Sequence, residues 1–459
     1  MPDRLLVVGG DAAGMSAASQ ARRRRSVDQL EIIAFERGNH TSYSACGIPY
    51  LVGGLVGELD DLVVRTPEVF RDRFDIDART GHEVVAIDPD ERAVTVRRLD
   101  NDSEYRETYD HLVIATGAEP VRPSLPGIDA RGIHGVQTLD DAVKVERSLS
   151  EGARRAVIVG GGYIGLEMAE AFLLRGLEVT LVEQAPQPMV TLDPEMGALV
   201  ADALRQMGVK LHLNIAVSGF EEAGGRVSSV VTEEGDIPAD VVVLGTGTRP
   251  AAGLARESGI PVGETGGIRT DARMRTEIEG VWAAGDCVET FHRISRRAVA
   301  IALGTHANKQ GRVAGINLGG GYATFPGVVG TAVSKICSVE VARTGLNEGQ
   351  AEAAGLRFES VVVESTTRAG YYPGAKKMTM KLLAEVGTGR LLGAQIVGEE
   401  GAAKRIDVFA TALWNEMTVE EIQEMDLSYA PPFSPVWDPV LIAARKAAEL
   451  NAPARPDDV

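Results

Sequence analysis

The chain is short of cysteine, with Cys46, Cys287 and Cys337 the only three in 459 residues. No two are close enough to form a CxxC or CxxxxC pair. A disulfide framework is therefore excluded, and a reducing cytoplasm is the expected compartment. The seven histidines show no metal-ligand spacing with each other or with the cysteines, so no metal site is expected. Basic residues are also in deficit. The 47 Lys and Arg stand against 65 Asp and Glu, for a net charge of −18, which makes nucleic acid or an anionic membrane a poor partner. Long apolar runs are missing too. The longest, Ala156 to Leu166, is glycine-rich and ends at Glu167, short of the roughly 20 residues a membrane helix needs. Near the start, Leu5 to Val8 is too short for the core of a signal peptide.

What is abundant is glycine, with 52 residues and no collagen period, in an otherwise ordinary globular composition of 44 % apolar and 24 % charged residues. The length suggests about three domains. Two segments repeat one pattern. Arg4 to Val8 reads as a strand, GGDAAG as a turn, Met15 to Arg25 as a helix, and Leu30 to Phe35 as a second strand closed by Glu36. Ala156 to Val159, GGGYIG, a helix to about Leu174, and Leu177 to Val182 closed by Glu183 repeat it. This is the dinucleotide-binding βαβ unit, present twice. A glycine-rich turn in some other parallel sheet is the competing reading. The second fingerprint is complete, with Gly160, Gly162 and Gly165, whereas the first has Gly9 and Gly14 but Asp11 at its middle position.

The residue types follow from what a pyrophosphate needs. Small residues let the backbone approach it, and a helix N-terminus offers unpaired N–H groups and partial positive charge. Glu36 and Glu183 can accept hydrogen bonds from ribose hydroxyls. Glu183 would repel a 2′-phosphate, and no arginine follows closely in EQAPQPM, which favours NADH over NADPH. Strands ending in Thr-Gly (Leu112 to Pro120, Val241 to Pro250) and in Gly-Asp (Val281 to Cys287) accompany the two units, and Asp271 to Gly280 reads as a polar loop. After about Phe325 the texture changes. Val361 to Val363 and Met378 to Leu383 alternate like antiparallel strands. Lys404 to Met417 and Val440 to Leu450 look helical, and Ala452 to Val459 reads as a frayed tail.

Cys46, in SYSACGIPY, follows the second strand of the first unit. The Gly-Ile-Pro after it suits a helix opening. A thiol there is expected to have a lowered pKa, since the helix end favours thiolate; a small buried core cysteine is the alternative. Cys287, next to Asp286, reads as packing beside a cofactor, and Cys337 as core. The run Arg22 to Arg25 reads either as a solvated helix end or as a phosphate contact.

These motifs together resemble the FAD-dependent pyridine nucleotide–disulfide oxidoreductases, and within them the single-cysteine branch of coenzyme A-disulfide reductases, persulfide reductases and NAD(P)H oxidases. The likeness runs from Leu5 to about Ala444. It rests on the two nucleotide units, CGIPY with Cys46, AAGD with Asp286, GYYPGA with Tyr371 and Tyr372, GEEGAAKRIDV from Gly398, and DLSYAPPFS with Tyr429. The resemblance implies an α/β fold of two Rossmann-like domains and a C-terminal α+β dimerisation domain. Residues 1–120 and 249–325 would bind FAD, 121–248 would bind NAD(P)H, and 326–459 would form a homodimer. It implies FAD contacts at Gly9, Gly14, Glu36, Val84, Thr116, Gly117 and Asp286. NAD(P)H contacts would fall at Gly160, Gly162, Ile164, Gly165, Glu183 and Gly247. Cys46 would lie against the flavin, and Tyr371, Tyr429 and, less directly, Tyr372 would reach the partner subunit's site. Coenzyme A, which the resemblance implies can be held as a mixed disulfide, would be contacted by Gln20, Arg22, Arg23 and Ser42.

The sequence departs from that branch at Ala45, where many members carry asparagine, and a C-terminal rhodanese extension is not expected. The expected activity is transfer of hydride from NADH through FAD to a low-molecular-weight disulfide, coenzyme A disulfide first. The alternatives are an oxidase or peroxidase cycling Cys46 through sulfenic acid, a persulfide reductase, and an electron-transfer reductase for a protein partner.

Overall fold

Asp3–Val8 is the central strand of a parallel five-stranded sheet. Leu30–Glu36 and then Asp77–Thr80 lie to one side, with His111–Ile114 and then Val281–Ala283 on the other. Leu5, Leu6 and Val7 are fully buried, as befits a strand covered on both faces. The second unit repeats the plan. Arg155–Val159 is central, flanked by Glu178–Glu183 and Lys210–Leu213 on one side and by Val241–Leu244 and Ile133–His134 on the other. Each unit also carries a three-stranded antiparallel meander, within 82–108 in the first and 217–238 in the second, which the sequence pattern does not announce. The computed structural model describes residues 1–451, so the tail Ala452 to Val459 lies outside the described residues.

The third layer is an antiparallel sheet of five strands in the order Ala332–Ile336, Val339–Gly345, Leu391–Gly398, Lys377–Glu385, Phe358–Thr366. Both expected strands lie within it. The expected helix over Lys404 to Met417 is shorter, Ile406–Trp414 after a 3₁₀ turn, and Val440 to Leu450 falls within the helix Pro439–Asn451. The architecture is the expected one: two nucleotide-type α/β units and a C-terminal α+β part.

Small residues set the approach of two helices that border the site. Ala12–Arg22 packs on Gly304–Leu318, where a Cβ at Gly311 or Gly315 would strike the carbonyls of Ala13 and Ala17. The first helix ends at Arg22 rather than reaching Arg25. The Arg22 guanidinium explains this. It donates to the carbonyls of Phe74 (3.1 Å), Asp75 (3.0 Å), Leu30 (2.8 Å) and Arg25 (3.2 Å), stitching the helix end to the loops around it.

Candidate active site

The two parallel sheets end their central strands at the glycine turns. Gly9 and Gly160 adopt φ of +111° and +103°, which L side chains rarely adopt. Gly14 and Gly165 sit one helical turn on, where a Cβ would strike the Gly9 and Gly160 carbonyls. They permit the helix to press against the turn. Each closing acid is held by its turn. Glu36 accepts from the N–H groups of Gly10 and Gly38, both at 2.7 Å, and Glu183 from Gly161 at 2.7 Å and Ala185 at 2.8 Å.

A cavity of about 2050 Å³ opens over these turns. Its wall includes Gly9, Glu36, Val84, Thr116, Gly117 and Asp286 from the first unit. From the second it takes Gly162, Ile164 and Gly247, and from the first helix and the cysteine loop Gln20, Arg23, Ser42 and Cys46. Gly14, Gly160, Gly165 and Glu183 are not part of this lining. Arg22 is brought elsewhere. Four of its five N–H groups are taken by the carbonyls above and it does not line the cavity, so the expectation of a coenzyme A contact from Arg22 is corrected, and Arg23 is the arginine of that pair that lines the cavity.

Cys46 occupies a 3₁₀ turn, Ala45–Gly47, ahead of the short helix Ile48–Val52, and its side chain is open to the cavity. The expected lowering of its pKa is corrected. Burial of the thiol pushes the pKa up, and the carboxylates of Glu167, Asp286 and Asp11 add to the effect. The helix that follows has five residues and begins only after the thiol, so its dipole contributes little. Cys287 is fully buried, its sulfur against the carbonyls of Ile114 and Ala284, with its pKa pushed up to about 11 by burial. Cys337 is half-buried at a hairpin turn, with φ of +50°. Cys46 is thus the thiol that lines the cavity.

Asp286 places Oδ1 in the cavity wall, buried and with no hydrogen-bond partner. Burial pushes its carboxyl up to about 6. An acceptor left this way calls for a ligand with hydroxyl donors. Sequence reasoning did not pick out Tyr163 and Glu167, which share a face of the second fingerprint helix at i, i+4 spacing and both line the cavity. That spacing next to GGGYIG was the available signal. It also missed Lys309 and Arg312, on the helix packed against the first, which add positive charge to the cavity wall.

Tyr371 and Tyr429 do not line this cavity. They lie on the surface of the C-terminal part, 79 % and 48 % exposed, and Phe433, Val436 and Trp437, shortly after Tyr429 in the chain, are exposed too. The structure does bring the two together, and the neighbouring Tyr371 pushes the Tyr429 hydroxyl pKa up.

Residues 3–311 match the family described as pyridine nucleotide-disulphide oxidoreductase, and residues 331–439 match the dimerisation domain of the same family. The chain belongs to this family. It is an FAD-dependent NAD(P)H oxidoreductase. It is 39 % identical over 446 residues to a CoA-dependent NAD(P)H sulfur oxidoreductase of Pyrococcus abyssi, covering 96 % of this chain and 97 % of that one. It is 30 % identical to the coenzyme A disulfide reductase of Staphylococcus haemolyticus, with 97 % and 100 % covered. Among solved structures, the NAD-dependent persulfide reductase of A. fulgidus matches with a TM-score of 0.94 and 41 % identity, over 97 % of this chain and 83 % of that chain.

The site's residues fit the family's flavin. The unpartnered Asp286 oxygen suits the hydroxyls of a polyol chain, and Gly9 and Glu36 line the same cavity. Among the described residues no helix is long and apolar enough to cross a membrane.

Proposed function

We propose that this enzyme reduces a coenzyme A-linked disulfide with electrons from NAD(P)H, NADH preferred, using Cys46 as its redox thiol in a homodimer. The observation that carries this reading is that Cys46 alone of the three cysteines lines the cavity. With no resolving thiol beside it, the second sulfur must come from outside. Glu36, Thr116, Gly117, Val84 and Asp286 would hold FAD. Gly162, Ile164, Gly247 and Glu183 would serve the nicotinamide nucleotide, with Gly160 and Gly165 shaping its turn. FAD, when bound, supplies the two-electron relay from NAD(P)H to sulfur.

The Cys46 thiolate attacks one sulfur of the disulfide, forming a Cys46–coenzyme A mixed disulfide and expelling one coenzyme A thiolate. Two electrons and one proton then return the mixed disulfide to Cys46 thiolate and a second coenzyme A thiol. Gln20, Arg23 and Ser42 would orient the coenzyme A, and the positive charge of Arg23, Lys309 and Arg312 suits its phosphates. Tyr371 and Tyr429 from the partner chain would donate the proton to the leaving thiolate. The exposure of the tyrosine pair, together with that of Phe433, Val436 and Trp437, supports a role across an interface.

Purified enzyme supplied with NADH and coenzyme A disulfide should consume both and lose that turnover on Cys46→Ser, while keeping its yellow flavin. NADH consumption with oxygen alone at the same rate would assign an oxidase instead. Sulfide release from a coenzyme A persulfide at a higher rate would assign a persulfide reductase. Undiminished turnover in Cys46→Ser would defeat the reading.

A further inference from the structure

The two glycine turns are built alike down to single hydrogen bonds, and at their third position one carries a side chain and the other none. In both, the closing glutamate accepts from the second residue of the turn, Gly10 or Gly161, at 2.7 Å. In both, the loop beyond that glutamate folds back and donates an N–H to the carbonyl of the same residue. Ser42 does so to Gly10 at 2.9 Å, and Met189 to Gly161 at 2.8 Å. Both returning residues sit in the left-handed region, at φ of +46° and +52°. The third turn position is extended in both, with φ and ψ of −110° and −152° at Asp11 and −80° and −172° at Gly162.

A Cβ at Gly162 would meet nothing nearer than the Gly245 carbonyl at 3.9 Å. The position thus tolerates a side chain without moving the backbone. The first turn uses that freedom. Asp11 accepts from the Tyr43 N–H at 3.1 Å, and Tyr43 stands three residues before Cys46. An aspartate at the N-cap of a helix ordinarily binds the helix's own N–H groups, yet Asp11 makes no such side-chain bond to its helix. Its carboxyl is instead buried in the cavity wall beside Glu36 and Asp286, which pushes its pKa up to about 6. Burying a carboxylate among carboxylates is costly, so the Tyr43 contact has to matter.

The segment around Cys46 is fixed on its other edge mostly by backbone, with the Thr41 hydroxyl donating to the Arg65 carbonyl at 3.0 Å. The Ser42 carbonyl accepts from Val64 at 2.8 Å and from Arg65 at 3.2 Å, and Ser44 N–H donates to Leu62 at 2.8 Å. Asp11 supplies the side-chain bond on the cavity edge. In the second unit the corresponding loop carries no thiol and the corresponding residue is Gly162.

We propose that Asp11 is a positioning residue for the redox thiol, fixing the Tyr43 backbone and through it the turn that presents Cys46 to the cavity. This rests on the reading of Cys46 as the redox thiol. The test compares flavin-loaded Asp11→Gly, which restores the residue that the second turn carries, with Asp11→Asn, which keeps an acceptor oxygen. Three quantities are read: bound FAD, the rate of Cys46 alkylation by iodoacetamide, and kcat against KM for NADH with coenzyme A disulfide.

A hydrogen bond to a charged group is worth enough to shift a rate by about tenfold. Asp11→Gly should keep full FAD, change the alkylation rate by about tenfold, and lower kcat by about tenfold with KM for NADH unchanged. Asp11→Asn should stay within about twofold of the parent in alkylation. Parental alkylation in Asp11→Gly would overturn the proposal. So would loss of FAD in either variant, which would make Asp11 a cofactor ligand, and so would equal damage in both. The alkylation readout needs no substrate, so it still reports on Asp11 if Cys46→Ser turns over normally and the functional reading itself falls.

Discussion

Ser334 donates its hydroxyl proton to Glu167 at 2.9 Å, joining the first strand of the C-terminal sheet to the helix that faces Cys46. Burial raises the pKa of Glu167, and after burial itself Glu167 is the largest contributor to the raised pKa of Cys46. The C-terminal part therefore holds in place a carboxylate that restrains the thiolate.

Replacing Glu167 by Gln should release that restraint. The neutral amide can still accept from Ser334 but no longer repels a thiolate. Iodoacetamide alkylation of Cys46, followed from pH 7 to 10, should shift to lower pH in Glu167→Gln and run severalfold faster at pH 8. An unchanged profile would show that burial alone sets the thiol's acidity.

Asp286 has a consequence for stability against pH. Its pKa is 3.8 in the reference state and about 6 in the fold. A carboxyl raised in this way stabilises the fold fully below the unfolded value and loses that contribution as pH rises through 6. At about 1.4 kcal/mol per unit, the loss approaches 3 kcal/mol by pH 7.5. Asp286→Asn apoprotein should therefore melt higher than parental apoprotein at pH 7.5. The gap should narrow at pH 5. A gap that is absent, or that is constant with pH, would contradict the assigned burial.

Most of the frame could be read from the sequence because it rests on local steric rules. Gly9 and Gly160 announce turns that need positive φ, and Glu36 and Glu183 end strands whose buried runs are continuous. Spacing from Glu36 put Cys46 just after the second strand of the first unit, while its place against a flavin followed from the family resemblance alone. The acidity of Cys46 could not be read, since Glu167 and Asp286, two of the groups that set it, come from segments more than a hundred residues away. Arg22 misled for a related reason. An arginine in a family-like segment looks like a ligand contact, but the carbonyls of Phe74 and Asp75 that consume its donors belong to a loop about fifty residues on. Long-range charge and hydrogen-bond closure leave no periodic trace.

Lys381 is one such closure. It is 1 % exposed on a strand of the C-terminal sheet and meets Asp193 at 3.1 Å, Glu348 at 2.7 Å and also Glu195. Gln395 donates to Asp193 at 2.6 Å from the adjacent strand. Lys381→Met would leave Asp193, itself 3 % exposed, as a buried charge without its cation. Breaking a buried pair from one side costs about 3–5 kcal/mol. Urea unfolding of Lys381→Met should show a midpoint lowered accordingly. Pairing it with Asp193→Asn should recover part of the loss, and a parental midpoint in the single variant would show the pair to be solvated.

The tyrosine pair offers a test of the dimeric site that is independent of stability. Tyr371 and Tyr429 are neighbours on an exposed surface and do not line the cavity of their own chain. If they supply a proton to the neighbouring subunit's leaving thiolate, Tyr429→Phe should lower kcat by about a hundredfold or more, the ordinary contribution of a positioned acid. Cys46→Ser should abolish turnover. In a heterodimer of these two variants, one site carries both substitutions and the other keeps the native cysteine and the native tyrosine. Differently tagged variants, co-expressed and isolated as heterodimers, should therefore regain about half the parental turnover per dimer, whereas each homodimer stays impaired. A heterodimer no more active than its parents would place the proton donor within the cysteine's own chain, and the exposed tyrosines would then need another role.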